Sequence, residues 1–227
     1  MSPKNSDLSR DAIVDRALAI ADAEGIAAIT VRRIAKEFGV TPMALYWHVA
    51  NKDELFAAMG DRFFDGLELP VEGEWSERLR VVTDRLVAAL RRHPGSAHLA
   101  LTRVLACPAG RDLSEPTFAM LRAAGFSVRQ TADIARTAIQ TAMMLVTQEA
   151  GAEVGVGAEC REEVAAEKRR AIKSLPAARY PTLVECADTL TETDDHEEYY
   201  RFGVDLYISG VLGLYESLAG VGAQSPA

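Results

Sequence analysis

The chain has 227 residues, 48% hydrophobic and 26% charged, with a formal net charge of −8 at pH 7. That length holds one large or two small domains, and the balance is that of a globular protein with a buried core, neither disordered nor fibrous. Three widely spaced cysteines (Cys107, Cys160 and Cys186) with no C-x-x-C pair fit neither a disulfide framework nor a zinc site, and read as reduced packing residues.

The stretch Met1–Arg10 is polar and mixed in charge, unlike a signal peptide. Apolar runs such as Ala142–Thr147 fall far short of the roughly 20 residues a membrane span needs. The expectation is a cytoplasmic protein that does not enter a membrane. The charge is unevenly spread: residues 1–52 carry seven Lys/Arg against six Asp/Glu, and residues 53–227 carry 18 against 27. A small basic surface on an acidic body leaves one side that attracts phosphates and another that repels them.

In chain order the elements read as helices. Ser9 is an N-cap, followed by Ile13, Ala17, Ile20 and Ala21 at helical spacing up to Gly25. Thr30 caps a short helix carrying Ile34, Ala35 and Phe38, which stops at Gly39. Thr41 caps the next, with Pro42 at its first position, where a missing N–H costs nothing. Asn51 opens a fourth, and Glu54 completes a capping-box-like signal. Helices this short cannot stand alone and must share one small core.

Leu69–Gly73 is a break, and an amphipathic helix runs from Trp75 to about His93 on Leu79, Val82, Leu86 and Leu90. Pro94 and Gly95 interrupt it. Next come a helix over about 97–107, a loop at Pro108, Gly110 and Asp112, and a helix from Ser114 to Gly125. Ser127 begins a long apolar helix to about 150. Residues 150–160 are a Gly- and Ala-rich loop, 161–173 a charged helical stretch, and 175–193 an irregular helix. A long helix over about 197–218 closes the chain. With no strand signal, the expected fold is all-α. An N-terminal three-helix helix-turn-helix head occupies residues 1–55, and a helical ligand-binding and dimerisation domain occupies residues 56–227.

The most informative stretch is Thr30–Lys52, TVRRIAKEFGVTPMALYWHVANK. Two short helices across the tight Gly39–Val40 turn make a helix-turn-helix, with Ile34, Ala35, Val40 and Leu45 at its hinge. Arg32, Arg33, Thr41, Met43, Ala44, Tyr46 and His48 remain outward, on the face that enters a major groove. The run GVTPMALYWHV-x-NKDEL resembles the recognition region of TetR-family regulators, particularly the tetracycline repressors, whose equivalent segment reads LYWHV-x-NK. The resemblance implies phosphate contacts from Tyr46, His48 and Lys52, with Arg32 and Thr41 at the groove edge and Pro42, Met43 and Ala44 facing bases. Either Arg32 or Arg33 touches DNA, with Arg32 favoured by register. Trp47 is expected in the core, joining the head to the fourth helix.

A fainter likeness around 92–99, 125–151 and 200–214 implies a tetracycline-repressor type of C-terminal domain. It binds an inducer within a helical cage and forms a homodimer through helices of about 127–150 and 197–218. The last helix supports this on its own: it is apolar on two sides, with Gly203, Gly210 and Gly213 allowing close approach. His98 falls near a metal-coordinating histidine of those repressors, but Gln148 stands where they have a carboxylate, so no metal or cofactor is expected. Phe64, His98, Leu105, Phe118, Met120, Met144 and Gln148 are the candidate contacts of a small hydrophobic inducer, although a histidine beside a helix start is commonly structural and methionines at helical spacing are commonly core.

The function expected is that of a ligand-responsive regulator, a repressor released from a palindromic double-stranded DNA operator by its inducer. The alternatives are a helical-bundle carrier or enzyme, and a DNA-binding dimer without a ligand. Against an enzyme stand the missing Ser/His/Asp or Cys/His arrangement, metal-spaced histidine pair and Gly-rich phosphate loop.

Overall fold

Residues 8–147, 158–191 and 196–222 are described by a computed structural model; they are helical, with no strand among them. Four helices make the N-terminal part: α1 (Arg10–Glu24), α2 (Val31–Phe38), α3 (Pro42–Tyr46) and α4 (Lys52–Asp61). Local chemistry sets their limits. Ser9 Oγ accepts from Ala12 N at 3.1 Å, Thr30 Oγ1 from Arg33 N at 3.0 Å, and Asn51 Oδ1 from Glu54 N at 2.8 Å. Glu54 returns to accept from Ala50 N at 2.8 Å, so the box closes one residue before the cap. Thr41 holds the cap position of α3 without a side-chain bond. Gly39, at φ 65°, ends α2 with Val40 N bonded to Ala35 O and Gly39 N to Lys36 O, a Schellman stop that turns the chain into α3. Ile13, Ala17, Leu18, Ile29, Ile34 and Leu45 form the shared core.

The body consists of α5 (Trp75–Arg91), a 3-10 helix Pro94–Leu99, α6 (Ala100–Arg103), α7 (Pro108–Ala123), α8 (Val128–Thr147), α9 (Ala158–Lys173), α10 (Pro181–Glu185) and α11 (His196–Gly222). Helices α5, α7, α8 and α11 form its core. Ser127 and Gln130 cap α8 reciprocally, Ser127 Oγ accepting from Gln130 N at 3.2 Å and Gln130 Oε1 from Ser127 N at 2.9 Å. Tyr207 of α11 donates its hydroxyl to Ile134 O of α8 at 2.9 Å, and burial pushes that phenol well above its ordinary pKa. Trp75, Phe126 and Tyr215 stack at one end of the bundle, with ring centroids 5.0–5.9 Å apart. Helix α9 packs on α10 and on the 3-10 turn Thr189–Thr191, and Arg169 joins α9 to Thr191.

Three expectations change. The segment read as a loop at Pro108, Gly110 and Asp112 is the first turn of α7: Pro108 occupies the first position, and Cys107 caps the helix by accepting from Gly110 N at 3.2 Å on Sγ. Proline and glycine there are a helix start and a packing site, not breaks. The helix expected over 97–107 is a 3-10 stretch followed by the single turn of α6. Of the cysteines, Cys107 is buried but Cys186, at the surface end of α10, is exposed. The side chain of Cys160 and residues 148–157 and 192–195 lie outside the described residues; of the stretch 150–160 expected as a loop, residues 158–160 are the first turn of α9.

Candidate nucleic-acid interface and the cavity behind it

Helix α3 is little more than one turn long, and its placement rests on Leu45 and Val49, buried four residues apart. That anchoring turns the intervening residues outward. Thr41, Pro42, Met43 and Tyr46 are exposed, Ala44 and His48 half-buried. Trp47 is 86% exposed, which corrects the expectation of a core residue. Hydrophobicity pointed inward, but the spacing from Leu45 and Val49 points outward, and spacing decides. We expect Trp47→Ala to keep the melting temperature within about 2 °C of wild type, whereas a truncated core tryptophan costs ~3–5 kcal/mol. A thermal melt separates the two, and a large fall would return Trp47 to the core.

The two arginines of α2 differ. Arg33 is held by Glu24 Oε1 at 2.7 Å and by Glu37, and these hydrogen-bonded carboxylates, Glu24 first, raise its pKa above the ordinary guanidinium value. A phosphate would have to displace two carboxylates to engage it. Arg32 is exposed and has no ion pair among the described residues. Lys36, absent from the expected contacts, is exposed one turn further along the same face; its i, i+4 relation to Arg32 is the signal that would have found it. Lys52, at the first position of α4, is exposed with its ammonium 5.0 Å from the Phe56 ring centroid. The surface thus brings together Arg32, Thr41, Pro42, Met43, Tyr46, Trp47 and Lys52, and half of His48, while Arg33 is engaged elsewhere.

Behind the head, α4 runs on into a 3-10 turn, Arg62–Phe64. Arg62 binds Asp15 of α1 at 2.7 Å, and Arg103 of α6 grips Asp61 of α4 at 2.6 and 3.3 Å; in each case the hydrogen bond to the carboxylate raises the guanidinium pKa. The turn delivers Phe64 to a cavity of about 60 Å³ between α5, α7 and α8. Its lining has no charged residue, and its hydroxyls are already bonded within their own helices: Thr83 donates to Leu79 O at 2.8 Å, Ser114 to Gly110 O at 2.7 Å and Thr117 to Leu113 O at 2.7 Å.

Of the expected inducer contacts, Phe64 and Phe118 line this cavity. Met120 is buried away from it. His98 is exposed on the 3-10 helix, and Leu105 and Met144 are 60% and 59% exposed, so these three are corrected to surface positions. Leu105 comes after a helix only one turn long, which does not carry it inward, and Met144 lies on the side of α8 turned from the core. Gln148 lies outside the described residues. The lining residues Val82 and Leu86, read in the sequence only as the apolar face of a helix, and Ile139 sit at core spacing and carry no mark that distinguishes a cavity wall from packing.

A second, open groove of about 580 Å³ runs between α8 and α11, lined among others by Gln130, Ile134, Thr141, Leu206 and Leu214. Phe202 beside it and Leu206 of its lining are 67% and 66% exposed, and among the described residues no atom stands within 4 Å of where a Cβ on Gly210 or Gly213 would lie. Among the described residues no helix is long and apolar enough to cross a membrane.

Two family models match: "Bacterial regulatory proteins, tetR family" over residues 13–59, and "Tetracyclin repressor-like, C-terminal domain" over residues 44–215. An HTH-type transcriptional regulator of Saccharopolyspora erythraea is 36% identical over 121 residues, 52% of this chain and about half (51%) of that protein. The HTH-type transcriptional repressor DrrR1 of Streptomyces coeruleorubidus is 29% identical over 222 residues, covering 90% of this chain and 77% of that one. Among solved structures, Streptomyces coelicolor ActR in complex with actinorhodin superposes with a TM-score of 0.72 at 29% identity, over 92% of this chain and 98% of that one.

Proposed function

Since the chain belongs to the tetR family of bacterial regulatory proteins, we propose that it is a ligand-responsive transcriptional repressor that binds a palindromic operator as a homodimer and is released by a small hydrophobic inducer. The observation that carries the reading is the outward display of Met43, Tyr46 and Trp47 on a short helix anchored by Leu45 and Val49. A helix presenting large side chains to solvent, flanked by Arg32 and Lys52, has the form needed to enter a major groove while cations meet the phosphates. Residues 1–55 act as the DNA-binding unit and residues 56–227 as the regulatory unit. The family is one of regulators, and the chain is read as having no catalytic role and as working in the cytoplasm.

Support for an inducer comes from the apolar cavity and from a structural neighbour that holds actinorhodin. At about 60 Å³ the cavity is well below the ~150 Å³ of an apolar cavity that takes up benzene. A ring-sized ligand therefore has to displace its walls, and a ligand that prefers the expanded state biases the whole molecule towards it. Phe64 hangs from the end of α4, and α4 begins at Lys52, so displacement of that wall reaches the DNA-facing side. Support for the homodimer comes from the unpartnered apolar stripe of α11.

The test is a titration of full-length protein on duplexes recovered from a randomised pool by the wild type. Lys52→Ala weakens binding about three- to tenfold on every sequence and lowers the slope of log affinity against log salt by about one. His48→Ala weakens binding without altering sequence preference. Unchanged affinity and salt slope in both variants would remove the assignment of this face.

A further inference from the structure

The head is fastened to the body at a point that neither the DNA-facing side chains nor the cavity uses. The last turn of α1 meets the first turn of the Pro94–Leu99 helix backbone to backbone. A Cβ on Gly95 would stand 2.3 Å from Ala21 O, 2.7 Å from Ala21 C and 3.0 Å from Asp22 Cα. No side chain larger than hydrogen fits there. Asp22 then grips the start of the 3-10 helix: its Oδ1 accepts from Gly95 N at 3.0 Å, and its Oδ2 lies 2.7 Å from His93 Nδ1. That helix receives no side-chain cap from its own N-cap residue, His93. A carboxylate from the head does that work instead. Phe63 meets the His93 ring edge-on at 6.5 Å, and His93 N bonds Leu90 O at 3.1 Å, so the imidazole is set against the end of α5.

We propose that Asp22 is a positioning residue for operator binding: with His93 and Gly95 it fixes the angle at which the head stands on the body. The inference rests on the reading of the chain as a dimeric operator-binding protein. In such a dimer the angle sets the separation of the two α3 helices, which must match half-sites about one helical turn apart. Helix α1 contributes none of the side chains on the DNA-facing surface. Its attachment therefore acts on where each head points and leaves untouched what each head can grip. Arg103 with Asp61 holds α4, and Arg62 with Asp15 ties the first half of α1 to the turn after α4, whereas the Asp22 joint holds the last turn of α1, towards Glu24. A head secured at both places moves as one piece, and one released at Asp22 is free to swing about α4.

Loosening the joint differs from simple destabilisation in what it costs. A swinging head still docks on one half-site but loses register on two. The probes are a duplex enriched from a randomised pool by the wild-type protein, the same duplex with one half-site scrambled, and versions with one or two base pairs inserted or removed at the centre. We expect full-length Asp22→Ala to bind the intact duplex about tenfold more weakly, as for loss of a charge-assisted hydrogen bond, and the half-scrambled duplex within about twofold of wild type. It also discriminates less sharply among spacer lengths. Asp22→Asn keeps an oxygen for Gly95 N–H and retains affinity for the intact duplex within about threefold. Should Asp22→Ala not fold, His93→Ala goes through the same series and removes the partner on the body side. Equal losses on the intact and half-scrambled duplexes, or no loss on either, overturn the role of Asp22. If the wild type enriches no palindromic duplex, the regulator reading itself falls, a result distinct from the other two.

Discussion

A chain carrying Phe202→Glu and Leu206→Glu together is expected to sediment as a folded monomer and to lose more than about a hundredfold in operator affinity, because one head alone forgoes the effective concentration that a linked second head supplies. Helix α11 has two apolar sides. Tyr200, Val204, Ile208 and Val211 are buried within the chain, while Phe202, Leu206, Gly210 and Leu214 recur every fourth residue along a face that the other described residues leave open. Phe202 and Leu206 are each about two-thirds exposed, so their replacement removes nothing from the monomer core. A self-complementary two-fold contact brings this stripe against its copy, so each mutation counts twice. Four carboxylates would then be desolvated without partners, a cost of several kcal/mol per ion in a buried setting. Sedimentation velocity and a duplex titration on the same preparation check the claim. A dimer that persists with full affinity would place the interface elsewhere.

Gly110→Ala is expected to lower the melting temperature by about 5–10 °C, corresponding to roughly 2–3 kcal/mol for a chain of this size. Two effects oppose one another. Alanine is the better helix former by about 1 kcal/mol, and Gly110 lies in the first turn of a 16-residue helix. Against that, an added Cβ would stand 2.0 Å from Val104 O and 2.7 Å from Val104 C. These are backbone atoms that no rotamer change moves, so α7 or the end of α6 must shift, and the clash outweighs the propensity gain. Val104 also lines the cavity, so the same substitution deforms the wall. A thermal melt within about 2 °C of wild type would show that the turn between α6 and α7 yields more easily than its packing implies.

The legibility of the sequence tracked how local the determining interaction was. The caps at Ser9, Thr30 and Asn51 and the stop at Gly39 are settled within four residues, and the structure has them as read. Ser127 likewise opens α8, aided by Gln130. At Pro108 the same local reasoning failed. Pro-x-Gly is punctuation when taken alone, and only the contact of Gly110 with Val104 shows that glycine serves packing there. Trp47 misled for the opposite reason, since its hydrophobicity outweighed a register already visible in Leu45 and Val49. The pairing of Arg33 with Glu24, nine residues away, depends on how α1 meets α2 and has no signature in spacing. The cavity was the least legible part. Its wall is built of ordinary core residues, mostly from α5, α7 and α8 with Phe64 and Val104 added, and whether such residues touch one another or leave a gap is decided by helix packing.

The hydroxyls of Thr83, Ser114 and Thr117 each spend their proton on a carbonyl of their own helix. The cavity therefore has neither a charge nor a spare donor with which to interrogate a guest. Recognition by volume and shape alone separates compounds that differ by one methylene by only about 10- to 200-fold, far below what a committed polar contact achieves. A chamber of this kind sorts by size and greasiness. An inducer held there, as proposed above, would be one of a class of related molecules, the choice among them left to whatever the cell supplies in greatest amount.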